Sequence, residues 1–466
     1  MKYTFKTLAI VFFLFTGLTT ACSDYLDPIL AQDKDLSSIE TIDDLDGLMI
    51  GAYSRIKAVN VYGRDYIILG DVRTGNAFSN GNSGRFIEQS KLQVTEDGSG
   101  GIWNAIYGTI ANCNLVIDSD LSESEVDQIK GEAYALRALS HMILLKMYGE
   151  KFVSGSNKGI PYITTFNKEE NFSPSRLSVE ESESKIKADF KKALTLMDPS
   201  IHNDSKRLNY YSVEALLSRF YLFTEDYKNA ATIAKDVIDS KEYTLASVSG
   251  YVSAWAEGQP AVLFEIAFNS ADNPDRNSLF NMLQGGYGDV EVTQKLYQLY
   301  GSNDVRKDLD DTNTTDTDKK RERDVYRVTG KFTSLSSNVP VIRYAEVILT
   351  YAEAEFRRTD KPDPGKALLY LNKLASQRYK DGFNYTTAKL EDILKERRKE
   401  LAMEGLYYWQ LLRNDKGVHR NSNRTSVRST NITVPMGDFR LAYPIPRGEL
   451  DSNPNMKQNK GYGGSK

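Results

Sequence analysis

From Gly131 to Gly149 the chain reads GEAYALRALSHMILLKMYG, with Leu136, Leu139 and Ile143 along one face and further apolar side chains almost all round. A helix that is apolar on every side has to lie inside the protein, so this stretch predicts an interior helix stopped by Gly149. Ser178 to Met197 is patterned differently. A serine cap and an acidic first turn precede a single stripe of Ile186, Phe190, Leu194 and Met197, which predicts an amphipathic helix.

Val213 to Ile238 carries Leu217, Ser218 and Tyr221 and then Tyr227, Ala230, Ala234 and Val237, the offsets of a tetratricopeptide unit, in which small residues let two antiparallel helices approach closely. Tyr344 to Arg357 and Gly365 to Gln377 repeat the idea across a longer connection, Asp360 to Pro364. One such pair cannot bury its own apolar face, so the pattern predicts stacked pairs forming a curved solenoid. Leu390 to Leu412 reads as a last long helix. Two turn-rich stretches, Gly70 to Gly101 and Asp272 to Gly288, read as long loops, and loops of that length in a compact protein often carry function. Ser302 to Asp324 passes from acidic to basic and reads as a solvated run. Pro444 to Tyr462 is extended, with Tyr443, Ile445, Leu450 and Tyr462 expected to pin it to the body.

The N-terminus changes the setting. Lys2 and Lys6, an apolar core from Leu8 to Leu18 and small residues Thr19 to Ala21 before Cys22 read as a lipoprotein export signal, residues 1–21, with Cys22 acylated after its removal. No later stretch reaches the roughly 18 apolar residues of a membrane span, so the expectation is a body anchored to a membrane through lipid. The remaining chain is read as an N-terminal region, 22–240, and a C-terminal region, 241–466. Charge excludes one partner class: 59 Lys and Arg are spread among 63 Asp and Glu, without the basic excess that a nucleic acid requires. Beyond Cys22 only Cys113 remains, which leaves no pair for an intramolecular disulfide.

Catalytic constellations are not found. His141, His202 and His419 share no metal-ligand spacing, and His141 in the interior helix is expected to be a core histidine. Gly81 to Gly84 reads as a turn, and Gly98, Gly100 and Gly101 open no phosphate loop. The acidic run Asp308 to Asp318 lacks the glycine and glutamate of a calcium-binding EF-hand loop. No cofactor is expected. Glu396, Arg397, Arg398, Glu400 and Glu404, at three- and four-residue spacings, read as an ion-pair network, although any two of so many acids can in principle serve glycoside hydrolysis.

An ordered set of motifs carries a resemblance. Cys22 to Asp27 (CSDYLD), Trp103-x3-Tyr107 with Asn112, Glu132-Ala133 through Arg137-Ala138 to Tyr148-Gly149, and Gly159 to Tyr162 (GIPY) come first. Arg343 to Glu346 (RYAE), Ala352 to Ala354, Glu396 to Leu401 with Glu404-Gly405, Pro444 to Pro446 (PIP), Asn453-Pro454 and Gln458 to Tyr462 complete it. In these the chain resembles the SusD/RagB family of outer-membrane nutrient-binding lipoproteins of Bacteroidetes. The resemblance implies a mainly α fold with four tetratricopeptide-like helical pairs as scaffold, loop-rich insertions and little β. It also implies a position on the extracellular face of the outer membrane and a partner, a SusC-like TonB-dependent β-barrel transporter, contacted by the helical pairs. The implied role is capture of an oligosaccharide or oligopeptide without catalysis.

Sugars are held by aromatic faces together with Arg, Asn and Asp side chains, and the first loop interleaves these types in Arg73, Asn76, Phe78, Asn80, Asn82, Arg85 and Phe86. Phe280, Met282 and Tyr287 in the second loop are expected to form the opposite wall. The three tryptophans, Trp103, Trp255 and Trp409, read as scaffold. A glycan is the expected ligand, with an extended peptide, held through its main chain, as the alternative and a surface glycosidase as the rival from another class.

Overall fold

Reciprocal caps fix where several long helices begin. Thr41, Ser178 and Asn209 each accept the backbone N–H three residues on, and the residue there returns a bond to the cap's own N–H. The computed structural model describes residues 39–463 other than 123, 167, 170–171, 202–203, 258–260, 285–286, 310–329 and 422–430. Cys22, the export segment, His202 and most of the Asp308 to Asp318 run lie outside the described residues. Asp308 is described, and it pairs with Lys380 at 2.7 Å.

The helices, in chain order, are α1 Ile42–Ile56, α2 Asp65–Val72, α3 Ile87–Ser90, α4 Gly100–Ile117, α5 Ser124–Tyr148, α6 Val179–Leu196, α7 Tyr210–Phe223 and α8 Tyr227–Ser240. They continue with α9 Tyr251–Glu257, α10 Leu279–Leu283, α11 Gln294–Tyr297, α12 Tyr344–Arg357, α13 Pro364–Ala375, α14 Leu390–Glu400, α15 Tyr407–Leu412 and α16 Arg447–Ser452. Packing follows the chain: α1 lies on α4, α4 on α5, α5 on α6, α6 on α7, α7 on α8, α8 on α12, and α12 on α13 and α14. This is the mainly α, tetratricopeptide-like scaffold. Each helix hides its apolar face against the next, which is how a stacked array builds one continuous core. Ser218, Ala230 and Ala234, fully buried in the α7–α8 pair, are the small residues that permit the close approach. In α12 every residue from Tyr344 to Glu355 is buried, so this helix is the axis of the C-terminal half.

The expected helix over 390–412 is two helices. Between α14 and α15 the chain turns through Met403 at φ 62° and Gly405 at φ 78°. The turn is imposed from far away, because a Cβ on Gly70 would run into the backbone of Gly405, whose N–H donates to the Asp71 carboxylate at 3.2 Å. The two expected long loops are also more ordered than their composition suggests. Strand β1 (Ala77–Ser79) from the first pairs antiparallel with β3 (Val290–Val292), just beyond the second, in the register Ala77↔Val292, Phe78↔Glu291 and Ser79↔Val290. Two further antiparallel pairs, β2 (Val262–Ile266) with β4 (Val339–Arg343) and β5 (Val418–Arg420) with β6 (Ile432–Val434), make up the named strands among the described residues.

Glu396 and Glu400 of α14, with Glu404 just beyond it, form an ion-pair network whose partners come mostly from other segments, Lys399 being the one from the same helix. Glu400 receives Arg378 at 2.8 Å and Arg343 at 3.2 Å, Glu404 receives Arg343 at 2.6 Å and Lys331 at 2.7 Å, and Glu396 receives Arg306 at 2.7 Å. Arg397 turns instead to Glu346 of α12, and Arg398 to Asn76. The tail is pinned as expected. Asn459 donates to Tyr148 O at 2.8 Å and Tyr443 O at 2.6 Å, and the Tyr462 hydroxyl donates to Ala442 O at 3.1 Å.

Candidate functional site

The β1–β3 pairing brings the two predicted walls together as neighbours on one sheet. Beyond β1 the chain doubles back: Asn80 Oδ1 accepts from Asn82 N–H at 2.9 Å, and Ser79 Oγ donates to Arg85 O at 2.6 Å. Asn80 Nδ2 then bridges to the other loop, donating to Gly288 O at 2.6 Å and Glu291 Oε1 at 2.8 Å. Asp289 is wholly buried, so its charge needs local partners. Ser83 supplies them through its Oγ at 2.6 Å and its N–H at 3.2 Å, and Arg85 adds Nη1 at 3.2 Å. Arg85 also lies over the Tyr287 ring, 4.8 Å from its centroid, while that ring stays 40% exposed. Asn82 is exposed and Arg85 and Phe280 are half-buried, so with Tyr287 these are the accessible residues of the predicted site, and the contact of Arg85 with Tyr287 makes a platform.

The other predicted residues lie inside. Arg73 is sandwiched between Tyr408 and Tyr443, 3.9 and 4.6 Å from the ring centroids, and donates to Tyr408 Oη at 2.8 Å. Asn76 donates to Asp71 at 2.8 Å and accepts from Arg398 Nε at 2.7 Å. Phe78, Asn80, Phe86 and Met282 are likewise buried. For these six the reading as ligand contacts gives way to one in which they hold the platform from beneath, because side chains this deeply buried present no accessible face to a ligand.

Sequence reasoning missed Arg64, Asp65, Asn277 and Asp289. Arg64, in the turn between α1 and α2, donates to Asp65 at 2.6 Å and to Asn277 Oδ1 at 2.5 Å, and covers the Phe86 ring at 5.3 Å. Burial raises the Asp65 carboxyl above its ordinary range against the pull of Arg64 and Arg85. No periodicity marks these four, and Asn277 and Asp289 lie more than two hundred positions from Arg64 and Ser83, which bind them.

His141 is a core residue. Its Nδ1 faces Arg137 O at 3.0 Å, its Nε2 accepts the Ile163 N–H at 3.2 Å, and Tyr162 stacks on the ring at 3.7 Å. Burial, and then Arg137, hold its pKa well below the ordinary value, which keeps it neutral. Among the described residues no group of His, Cys, Asp and Glu is placed to hold a metal ion. A cleft of about 680 Å³ lies elsewhere, between α14 and α15, lined by Leu299, Leu394, Leu411, Tyr407 and Arg398 among others. Its one aromatic ring, Tyr407, is only partly exposed and carries the Arg398 guanidinium 4.5 Å from its centroid.

Comparison with known proteins agrees with the architecture at both ends of the chain. Residues 24–222 match a SusD-like family model described as starch-binding and associating with the outer membrane, and residues 325–462 match the SusD family model. A SusD-like protein of Formosa agariphila, P38, is 21% identical over 432 residues, covering 77% of this chain and 79% of its own. A SusD superfamily protein from Bacteroides vulgatus is 27% identical and superposes with a TM-score of 0.81 over 91% of this chain and 99% of its own. Surface glycan-binding protein A from Bacteroides uniformis, 19% identical, shares the fold with a TM-score of 0.72 over 90% of this chain and 99% of its own. With two family models matching in the expected order and the helical array common to these structures, the chain belongs to the SusD/RagB family.

Proposed function

We propose that the protein captures a glycan at the outer-membrane surface, without catalysis, and delivers it to a SusC-like TonB-dependent β-barrel transporter. The observation that carries the ligand reading is the Tyr287 ring, exposed at the edge of the β1–β3 sheet and braced by the Arg85–Asp289 pair. A sugar's apolar face stacks on such a ring while Arg85 and Asn82 meet its hydroxyls, and the fixed guanidinium lowers the ordering cost of binding. The family-model description of starch binding and outer-membrane association supports both the ligand class and the location. An acylated Cys22 would supply the anchor. The helical pairs, opposite in character to the platform, are the surface offered to the barrel.

Binding of the purified protein to soluble starch and to a panel of other oligosaccharides and peptides, by calorimetry, tests the reading. Glycan binding weakened about tenfold by Tyr287→Ala, a loss of about 1.4 kcal/mol, is the expected result. Binding of peptides alone, or glycan binding indifferent to Tyr287→Ala and Arg85→Ala, overturns it. Release of shortened oligosaccharide by the wild type would replace capture with hydrolysis. Purification from outer membranes in mild detergent, with a β-barrel transporter recovered alongside, tests the partner.

A further inference from the structure

Where α5, α7, α12, α14 and α15 meet there is a narrow recess, far smaller than the cleft between α14 and α15. It leaves about 20 Å³ for the centre of a water-sized particle and is lined by Lys146, Arg219, Arg397, Arg413, Glu346 and Trp409 among others. Its four cations are each at least nine-tenths buried. Two carboxylates serve them. Glu346 takes Arg219 at 2.8 Å and Arg397 at 2.7 Å, and Glu353 takes Arg413. Lys146 has neither an ion pair nor a hydrogen bond, and its Nζ lies over the face of Phe223, 5.1 Å from the ring centroid. The indole N–H of Trp409 is buried and also without a partner.

Two donors without acceptors and two positive charges in excess are thus gathered around one small space, and buried charge left in that condition is costly. We infer that the recess is a binding site for one monatomic anion of chloride size, held by the Lys146 ammonium and the Trp409 indole N–H. Size and chemistry both select that occupant. A single water needs roughly 10–15 Å³ of such space, so the recess accommodates one small particle and excludes an oxyanion such as sulfate. A water could accept from Lys146 and Trp409 and find an acceptor in Glu346 Oε2, which takes a single arginine N–H, but it would leave both excess charges unbalanced. A halide offsets one of them. Without an anion, burial, and then Arg219, pull the Lys146 ammonium down to about 7, which shows how poorly the protein alone supports that charge.

Crystals of the protein transferred into bromide and measured at the bromine absorption edge give the direct test. An anomalous peak in contact with Lys146 and Trp409 is expected. Ordinary water density there, with bromide found only on the surface, overturns the assignment. In solution, the wild type should melt about 2 °C or more higher in chloride than in gluconate at equal ionic strength, because a ligand that binds only the folded state stabilises it by mass action. Lys146→Met should abolish that difference. Should Lys146→Met fail to fold, Trp409→Phe keeps the ring and removes the N–H, and it should shrink the chloride effect. A chloride effect of undiminished size in either variant overturns the site. Glycan binding at the platform is not involved in these readouts, so the two proposals stand or fall separately.

Discussion

The charges beneath α14 and the charges at the β1–β3 platform are built from the same residue types and do opposite things. Under α14, Glu396, Glu400 and Glu404 are buried among Arg306, Arg343, Arg378 and Lys331, which come from segments that lie far off in sequence. At the platform, Arg85 and Asp289 lie close in the fold to one exposed ring, and the guanidinium keeps one side toward solvent. Charge that is fully satisfied fixes a fold; charge that is half satisfied remains available to a ligand.

The strongest way to break the contrast is Glu400→Ala, which leaves Arg378 and Arg343 without their shared carboxylate. Loss of a buried partner of this kind costs about 3–5 kcal/mol, read as a fall in the denaturation midpoint, and ligand binding should be lost only through unfolding. Acid attacks the same class of site. Burial alone would raise Glu346, yet Arg219 and Arg397 outweigh it and hold its pKa at about 2 against an ordinary 4.5. Because the folded pKa is the lower one, this stabilisation is complete above pH 4.5 and is lost as pH falls from 4.5 through 2. It is on the order of 3 kcal/mol, to be followed as melting temperature against pH. Glu214 runs the other way. Burial, and then Asp236, raise it to about 8, so it costs stability as pH rises from 4.5 to 8, and Glu214→Gln should raise the melting temperature at pH 8 and not at pH 4. Gly70→Ala should cost about 1–3 kcal/mol by forcing the turn between α14 and α15 away from α2. The smallest effect on stability is the one that sharpens the contrast most. Arg85→Ala and Tyr287→Ala should each change stability by less than about 0.5 kcal/mol while weakening glycan binding, and the double variant should lose less than the sum because the two side chains touch.

Helix α6 was legible because everything that defines it is local: the Ser178 cap, Glu180 and Glu181 in the first turn, and one apolar stripe. The α7–α8 pair was legible for the same reason, its small residues standing at fixed offsets. The break after α14 was not, because the constraint on Gly405 is the backbone of Gly70, and nothing around either glycine announces the other. The site divides along the same line. Composition selected two segments that the β1–β3 register brings together, and Asn82, Arg85 and Tyr287 remain accessible. It had no means of telling an asparagine that faces outward from Asn76 or Asn80, which turn inward to close bonds with Asp71 and Glu291. Arg64 and Asp289 were invisible because their partners, Asn277 and Ser83, lie more than two hundred positions away in the chain.

Arg420, in β5, sends its guanidinium to the carbonyls of Val72 at 2.7 Å, Ala77 at 3.0 Å and Ser90, inside the segment that carries the platform. The platform is therefore not a portable module. A fragment that stops before β5 would carry the exposed side chains without the Arg420 anchorage, a graft of residues 72–90 would leave Tyr287 behind as well, and evolution of a new specificity in this chain is confined to exchanging side chains on a backbone held in part from more than three hundred residues downstream.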